Sequence, residues 1–166
     1  VGGETGKIVK SDLKASIANL DPNHIFRSRY EATLQREFGS NLDEATADHP
    51  LTLTFSIGGA GAHKQIAWDA LRSLRTSILQ KHIRFNIEVG THAKLGDFFV
   101  HAARNLNLQR VLGTYLQIHC YENRQTYFRS FAHTLRTTDI LWTKPSELSF
   151  YTGLGLPIIM APPLGS

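Results

Sequence analysis

The spacing of apolar residues changes character near residue 51. Before it, apolar positions recur at helical intervals. Leu13, Ile17 and Leu20 follow Ser11 and Asp12, both good N-cap residues, and predict a helix that Asp21-Pro22-Asn23 ends. Ile25, Phe26, Tyr30, Leu34 and Phe38 form a second apolar stripe closed by Gly39, and such a stripe is expected to pack into a core. Residues 1–10 are glycine-rich, and residues 41–50 are polar and acidic, a loop leading onward. From Leu51 short apolar runs alternate with helical patterns. Strands are expected at 51–57, 85–89, 115–118, 139–142 and 156–160. Helices are expected at about 63–80, 94–106 and 123–135, the last carrying Tyr127, Phe128 and Phe131. Between the last two strands, Lys144-Pro145-Ser146-Glu147 reads as a polar turn opening a short helix, with Pro145 suited to the first helical turn. Five strands alternating with helices predict an α/β fold, a Rossmann-like doubly wound parallel sheet preceded by a helical segment. The expected division is a linker and helical segment over 1–50 and a single domain over 51–166.

Composition narrows the class. With 42% hydrophobic and 19% charged residues, the 166-residue chain has the makings of a soluble domain with a core. Apolar runs fall far short of the ~20 residues of a membrane span. One cysteine, Cys120, excludes an internal disulfide framework and fits a cytoplasmic setting. It is expected to be a small core residue. The charge of +4 suits a phosphate ligand or an acidic membrane surface, but the cations are scattered, so nucleic acid is not expected. The chain starts at Val1 without methionine and stops at Ser166 just after an apolar strand, so a domain cut from a longer parent, truncated at its C-terminus, is expected.

Two constellations carry candidate chemistry. Gly58, Gly59, Gly61 and Ala62 lie between the first strand and its helix, where open α/β sheets bind ligands. Glycines let backbone N–H groups approach a diphosphate, and the helix N-terminus favours its charge. Ser146 and Glu147 fall at a second helix N-terminus, fit either for an anionic ligand group or for a structural cap. A P-loop at residues 3–7 is excluded, because Val1 and Ile8 occupy positions that need glycine and Ser/Thr. A dinucleotide fingerprint is defective: Gly59 and Gly61 would serve, but Lys64 stands at the third position, and Glu88 lies too far on for the usual ribose acid. His63, His92 and His119 each follow a strand and can line the rim. None has metal-ligand spacing, and G-x-S-x-G is absent, so no metal site or serine triad is expected.

The tail from Asp139 to Pro162, with its Lys-Pro-Ser-Glu turn and Gly-Leu-Pro before an apolar run, resembles the C-terminal domain of two-Rossmann-domain (GT-B) glycosyltransferases. The nearest likeness is to the lipid-linked N-acetylglucosaminyltransferase of peptidoglycan synthesis and the diacylglycerol glucosyltransferases. The strand followed by Gly-Gly-Ala-Gly-Ala is similar to the loop that opens that domain, so the resemblance covers about residues 51–166. It implies a UDP-sugar donor site and no cofactor. Glu147 would bond the ribose hydroxyls, with Ser146 and Lys144 beside the diphosphate. Gly58, Gly59, Gly61 and Ala62 would lie near the sugar-diphosphate, and His119 would border the base. The implied partners are the nucleotide-sugar, an N-terminal acceptor domain of the same parent chain, and a membrane surface or lipid acceptor. Two other readings stay open: an NAD(P)-dependent oxidoreductase domain using Gly59, Gly61 and Glu88, and a non-catalytic interaction domain. The family pattern continues past residue 166 to a sugar-contacting residue, so this extent of chain is expected to be inactive alone.

Overall fold

The computed structural model describes residues 4–39, 42, 46–47, 49–57, 63–144 and 151–162. Its centre is a five-stranded, all-parallel sheet in the order β3-β2-β1-β4-β5, the arrangement expected for a Rossmann-like fold. The strands are β1 (Thr52–Ser56), β2 (Arg84–Gly90), β3 (Leu116–Cys120), β4 (Ile140–Thr143) and β5 (Ile158–Met160). Helices α4 (Lys64–Leu79), α5 (Ala93–Asn105) and α6 (Arg124–Arg136) link them, after an N-terminal run of α1 (Glu4–Leu20), α2 (Ile25–Arg29) and α3 (Glu31–Phe38). Short 3-10 turns stand at Gln109–Val111 and Thr152–Leu154.

Alternation along the strands gives the sheet two unlike faces. Leu53, Phe55 and Ile57 point to one side with Phe85, Ile87, Val89 and Leu116, and the inner faces of α4 and α5 close over them. Phe55, Phe85 and Phe99 are fully buried there; each such side chain contributes about 1.5–3 kcal/mol of transfer free energy. The other face presents Thr52, Thr54, Ser56, Asn86 and Glu88, all buried. Over this face Phe131 and Leu135 of α6 pack with Leu141 and Tyr151. Helix α1 lies along α6: Arg136 bonds Asp12 at 3.0 and 3.2 Å, and the Ser16 hydroxyl donates to Thr138 O at 3.4 Å.

Several sequence expectations are corrected. Helix α1 begins at Glu4, so Ser11 and Asp12 lie inside it and cap nothing; Asp12 pairs with Arg136 instead. The second stripe is broken at Tyr30 into α2 and α3, and Ile25, Phe26 and Tyr30 are exposed, leaving Leu34 as its buried member. Asp21 fixes the start of α2, its carboxylate accepting the N–H groups of Phe26 and Arg27 and the Arg27 guanidinium. Strand β5 is shorter than expected and forms a sheet edge, with Ile159 and Met160 exposed. The predicted helix opening at Pro145 falls on residues 145–150, outside the described residues.

At the N-terminal end of the sheet, Asp139 fastens the preceding segments to it. Its buried Oδ2 accepts Thr52 N–H at 2.7 Å and the Asn19 amide at 3.0 Å, and His49 Nδ1 stands 3.7 Å away. Asp139→Ala would leave the buried Thr52 N–H without its acceptor and the Asn19 amide with His49 alone, whose O stands at 3.1 Å. The expected loss is about 2–4 kcal/mol of unfolding free energy, measured by urea titration.

Candidate functional site

Ligands of open α/β sheets bind outside the carboxyl ends of strands where the strand order reverses. Here that point lies between β1 and β4. From β1 the chain steps outward to β2 and β3, then returns to place β4 on the other side of β1. The two strands run in register from Leu53↔Ile140 to Phe55↔Trp142. Ile57 and Lys144 therefore leave the sheet from neighbouring strands.

Of the residues singled out in the sequence, Lys144 and His119 are described; Gly58, Gly59, Gly61, Ala62, Ser146 and Glu147 lie outside the described residues. Lys144 follows β4 directly and is half-buried. His119 is not beside it. It lies on the edge strand β3, two strands from β1, which at the usual strand spacing is about 10 Å. Its Nε2 is 3.1 Å from Gln117 Oε1, its ring stacks on Tyr121 at 6.4 Å, and burial holds its imidazole below the ordinary histidine value.

His63 is 4% exposed, and its Nε2 bonds Pro162 O at 3.0 Å. A residue expected at the ligand rim is thus a clasp from the start of α4 to the exit of β5. His92 is exposed at the start of α5. Cys120 is exposed, against the expectation of a core residue, because β3 is an edge strand and its last side chain reaches the surface. Helix α5 passes so close to it that a Cβ on Gly96 would stand 3.3 Å from Cys120 Cβ. Among the described residues no group of three or more His, Cys, Asp or Glu could hold a metal.

Glu88 lies two residues before the end of β2, near where a ribose-binding acid would sit, but its side chain is only 1% exposed. It lies on the α6 side of the sheet, level with Ser56 on β1 and His119 on β3. Tyr121 donates its hydroxyl to Oε1 at 3.4 Å, and Oε2 has no hydrogen-bond partner among the described residues. Burial pushes the carboxyl up to about 7, against the lowering by Tyr121 and Thr134. Burial and the nearby Glu88 charge raise the Tyr121 phenol in turn. The Glu88 carboxylate is therefore enclosed rather than open at the strand end. Tyr121 escaped the sequence reading, although its place two residues after His119 was the available signal. Gly90, at φ +65°, ends β2 where the pairing with β3 shifts register.

An apolar cleft of about 200 Å³ lies away from the strand exits, between α1 and α6, lined by Leu13, Phe128, Phe131, Leu135 and Leu154 among others. Among the described residues, no helix is long and apolar enough to cross a membrane. Comparison with protein-family models and with curated proteins gives no match.

The His63 clasp is open to test. Strand β5 has only three residues, and Ala161 N–H still bonds Thr143 O at 2.8 Å beyond it. Losing the clasp by His63→Ala is expected to cost about 1 kcal/mol locally. Amide exchange at Ile158–Met160 and Ala161 should quicken several-fold, with α4 unaffected; His63→Gln should restore part of the protection.

Proposed function

We propose that this chain is the nucleotide-sugar-binding domain of a glycosyltransferase, taking a UDP-sugar donor across the exits of β1 and β4. The observation that carries this reading is the hydrogen-bonded pairing of β1 with β4 where the strand order reverses. The strand leading into the glycine segment 58–62 and the strand leading into Lys144-Pro145-Ser146-Glu147 are thereby neighbours. Two segments 82 or more residues apart in the chain can then serve one ligand.

Each part has a physical role in this reading. The glycine segment leads through His63 into the 16-residue helix α4, whose first turn offers unpaired N–H groups and a partial positive charge. Gly58, Gly59, Gly61 and Ala62 would let the sugar-diphosphate approach that turn. Lys144 adds a full positive charge from the β4 side, Ser146 a hydroxyl, and Glu147 an acceptor pair for the ribose diol. As the glycosidic bond to the diphosphate breaks, the charge growing on the leaving oxygens is met by these fixed donors, which is where such a site lowers the barrier. The hexosyl group would pass to an acceptor, a lipid or membrane-held one included, bound by another domain of the parent protein. His119, two strands away on β3, would border the base. The buried state of Glu88 favours this reading over a dinucleotide site that relies on Glu88 at the ribose.

Calorimetry with UDP, UDP-glucose and UDP-N-acetylglucosamine tests the proposal, with NADH as the comparison ligand. Saturable binding of a uridine diphosphate ligand is expected, and none of NADH. Glu147→Ala should weaken it about tenfold or more, the loss of roughly 1.4 kcal/mol for a charge-assisted bond. Lys144→Ala should weaken UDP more than uridine. No heat from any uridine diphosphate, or an unchanged Kd in Glu147→Ala, would rule the reading out.

A further inference from the structure

The polar face beneath α6 contains a hydrogen-bond chain whose direction can be worked out atom by atom. Thr138 Oγ1 donates to Thr134 O at 2.9 Å, so its one proton is committed. Thr54 Oγ1, 2.7 Å from Thr138 Oγ1, must then donate to it. Thr54 can in consequence only accept from Asn86, whose Nδ2 lies 3.2 Å away. The Asn86 amide is thereby oriented, with Oδ1 turned from Thr54, buried and without a partner. Two residues along the same strand, on the same face, Glu88 Oε2 is also buried and without a partner. An ionised Glu88 would leave Oε2 and Asn86 Oδ1, two buried acceptors on one face of β2, with no donor among the described residues, an arrangement that buried polar groups avoid. A proton on Oε2 supplies the missing donor, directly to Asn86 Oδ1 or through one water.

We propose that Glu88 is a buried proton switch: it holds its proton on Oε2 toward Asn86 while α6 is seated on the sheet, and its ionisation loosens α6 from the C-terminal half of the sheet. The groups around it offer an anion neutral donors and no cation, and the lowering by Tyr121 and Thr134 offsets burial only in part. Ser56 on β1 stands level with it, His119 and Tyr121 face it from β3 and its exit, and Thr134 faces it from α6, with Tyr127 behind Tyr121. The Thr134 hydroxyl donates to Ser130 O at 3.2 Å, and burial disfavours a positive charge on His119. The cations and histidine of α6, Arg124, Arg129, His133 and Arg136, are exposed, and Arg84 is at the other end of β2, about 13 Å off at the usual rise. Ionisation would thus put an unpaired charge between sheet and helix. The response least costly to the fold is to admit water by lifting α6, together with Tyr127 and the Tyr121 hydroxyl that packs on it. This device stands on the interior network alone and does not depend on what the strand exits bind.

The sign of the linkage follows. The folded carboxyl titrates near 7 and the unfolded one near its ordinary value of 4.5. Below 4.5 both states hold the proton and pH has no effect through this group. Between 4.5 and 7 the folded state keeps a proton that the unfolded state has lost, so stability falls as pH rises, and it levels off above 7.

The test uses the intact chain. Difference infrared spectroscopy between pH 6 and pH 9 should show the loss of one protonated-carboxyl stretch, absent from Glu88→Gln. Amide exchange in α6, corrected for its intrinsic pH dependence, should quicken about tenfold over the same range in the wild type and stay level in the variant. The urea-unfolding equilibrium constant attributable to this group should rise on the order of a hundredfold from pH 5 to pH 8. Absence of the carboxyl band at pH 6 would overturn the proposal, as would α6 protection that ignores pH. If Glu88→Gln does not fold, Asp139→Asn, which should keep the band, excludes the other buried carboxyl that burial raises.

Discussion

Strand β1 is hydrogen-bonded on both sides, to β2 and to β4, and every residue of it is buried. A backbone so placed has no solvent to fall back on, so each of its N–H and C=O groups must be met by a neighbouring strand. That requirement holds the sheet's order. Once β2 and β3 have been laid down on one side, the open edge of β1 is the place for β4. The carboxylate of Asp139 accepts the N–H of Thr52 just where β4 begins, tying the return of the chain to the start of β1. The adjacency of the exits after Ile57 and Thr143 is a by-product of that pairing.

The two faces of the sheet are built on different terms. Under α4 and α5 the contacts are apolar and non-directional, a surface on which side chains of similar volume can be exchanged. Under α6 the threonine and asparagine side chains meet through bonds with a defined sense, Thr54 to Thr138 and Asn86 to Thr54, with the Glu88 carboxyl buried on the same face. Such a network specifies the seating of α6 more tightly than apolar packing does.

The α/β class and most of the elements could be read from apolar spacing, because β1, β2, α4 and α5 each bury a face of the matching period. Where tertiary partners decided the outcome, spacing misled. Ser11 and Asp12 looked like caps, since N-cap residue types carry no mark that they belong to a longer helix. The exposure of Ile25 and Phe26 depends on what lies opposite them, and the exposure of Cys120 on β3 being an edge. Thr52-Leu53-Thr54-Phe55-Ser56 was legible as a strand, but not that its threonine and serine side would be buried. Of the candidate site, Lys144 follows the fourth strand, as expected, and that strand lies beside β1. His119 is further off, because strand order in space cannot be counted from strand order in sequence.

The close passage of α5 over β3 has a consequence for how the chain can vary. A Cβ at position 96 would stand 3.3 Å from that of Cys120, tighter than ordinary contact, so the neighbour would have to yield by a few tenths of an ångström. The two positions therefore share one allotment of volume. An alanine at 96 sits most easily opposite a glycine at 120, and opposite any residue with a Cβ there it requires a small shift of β3 or α5. Among descendants of this sequence, drift at either position is conditioned by the other, although they belong to different elements and lie 24 residues apart.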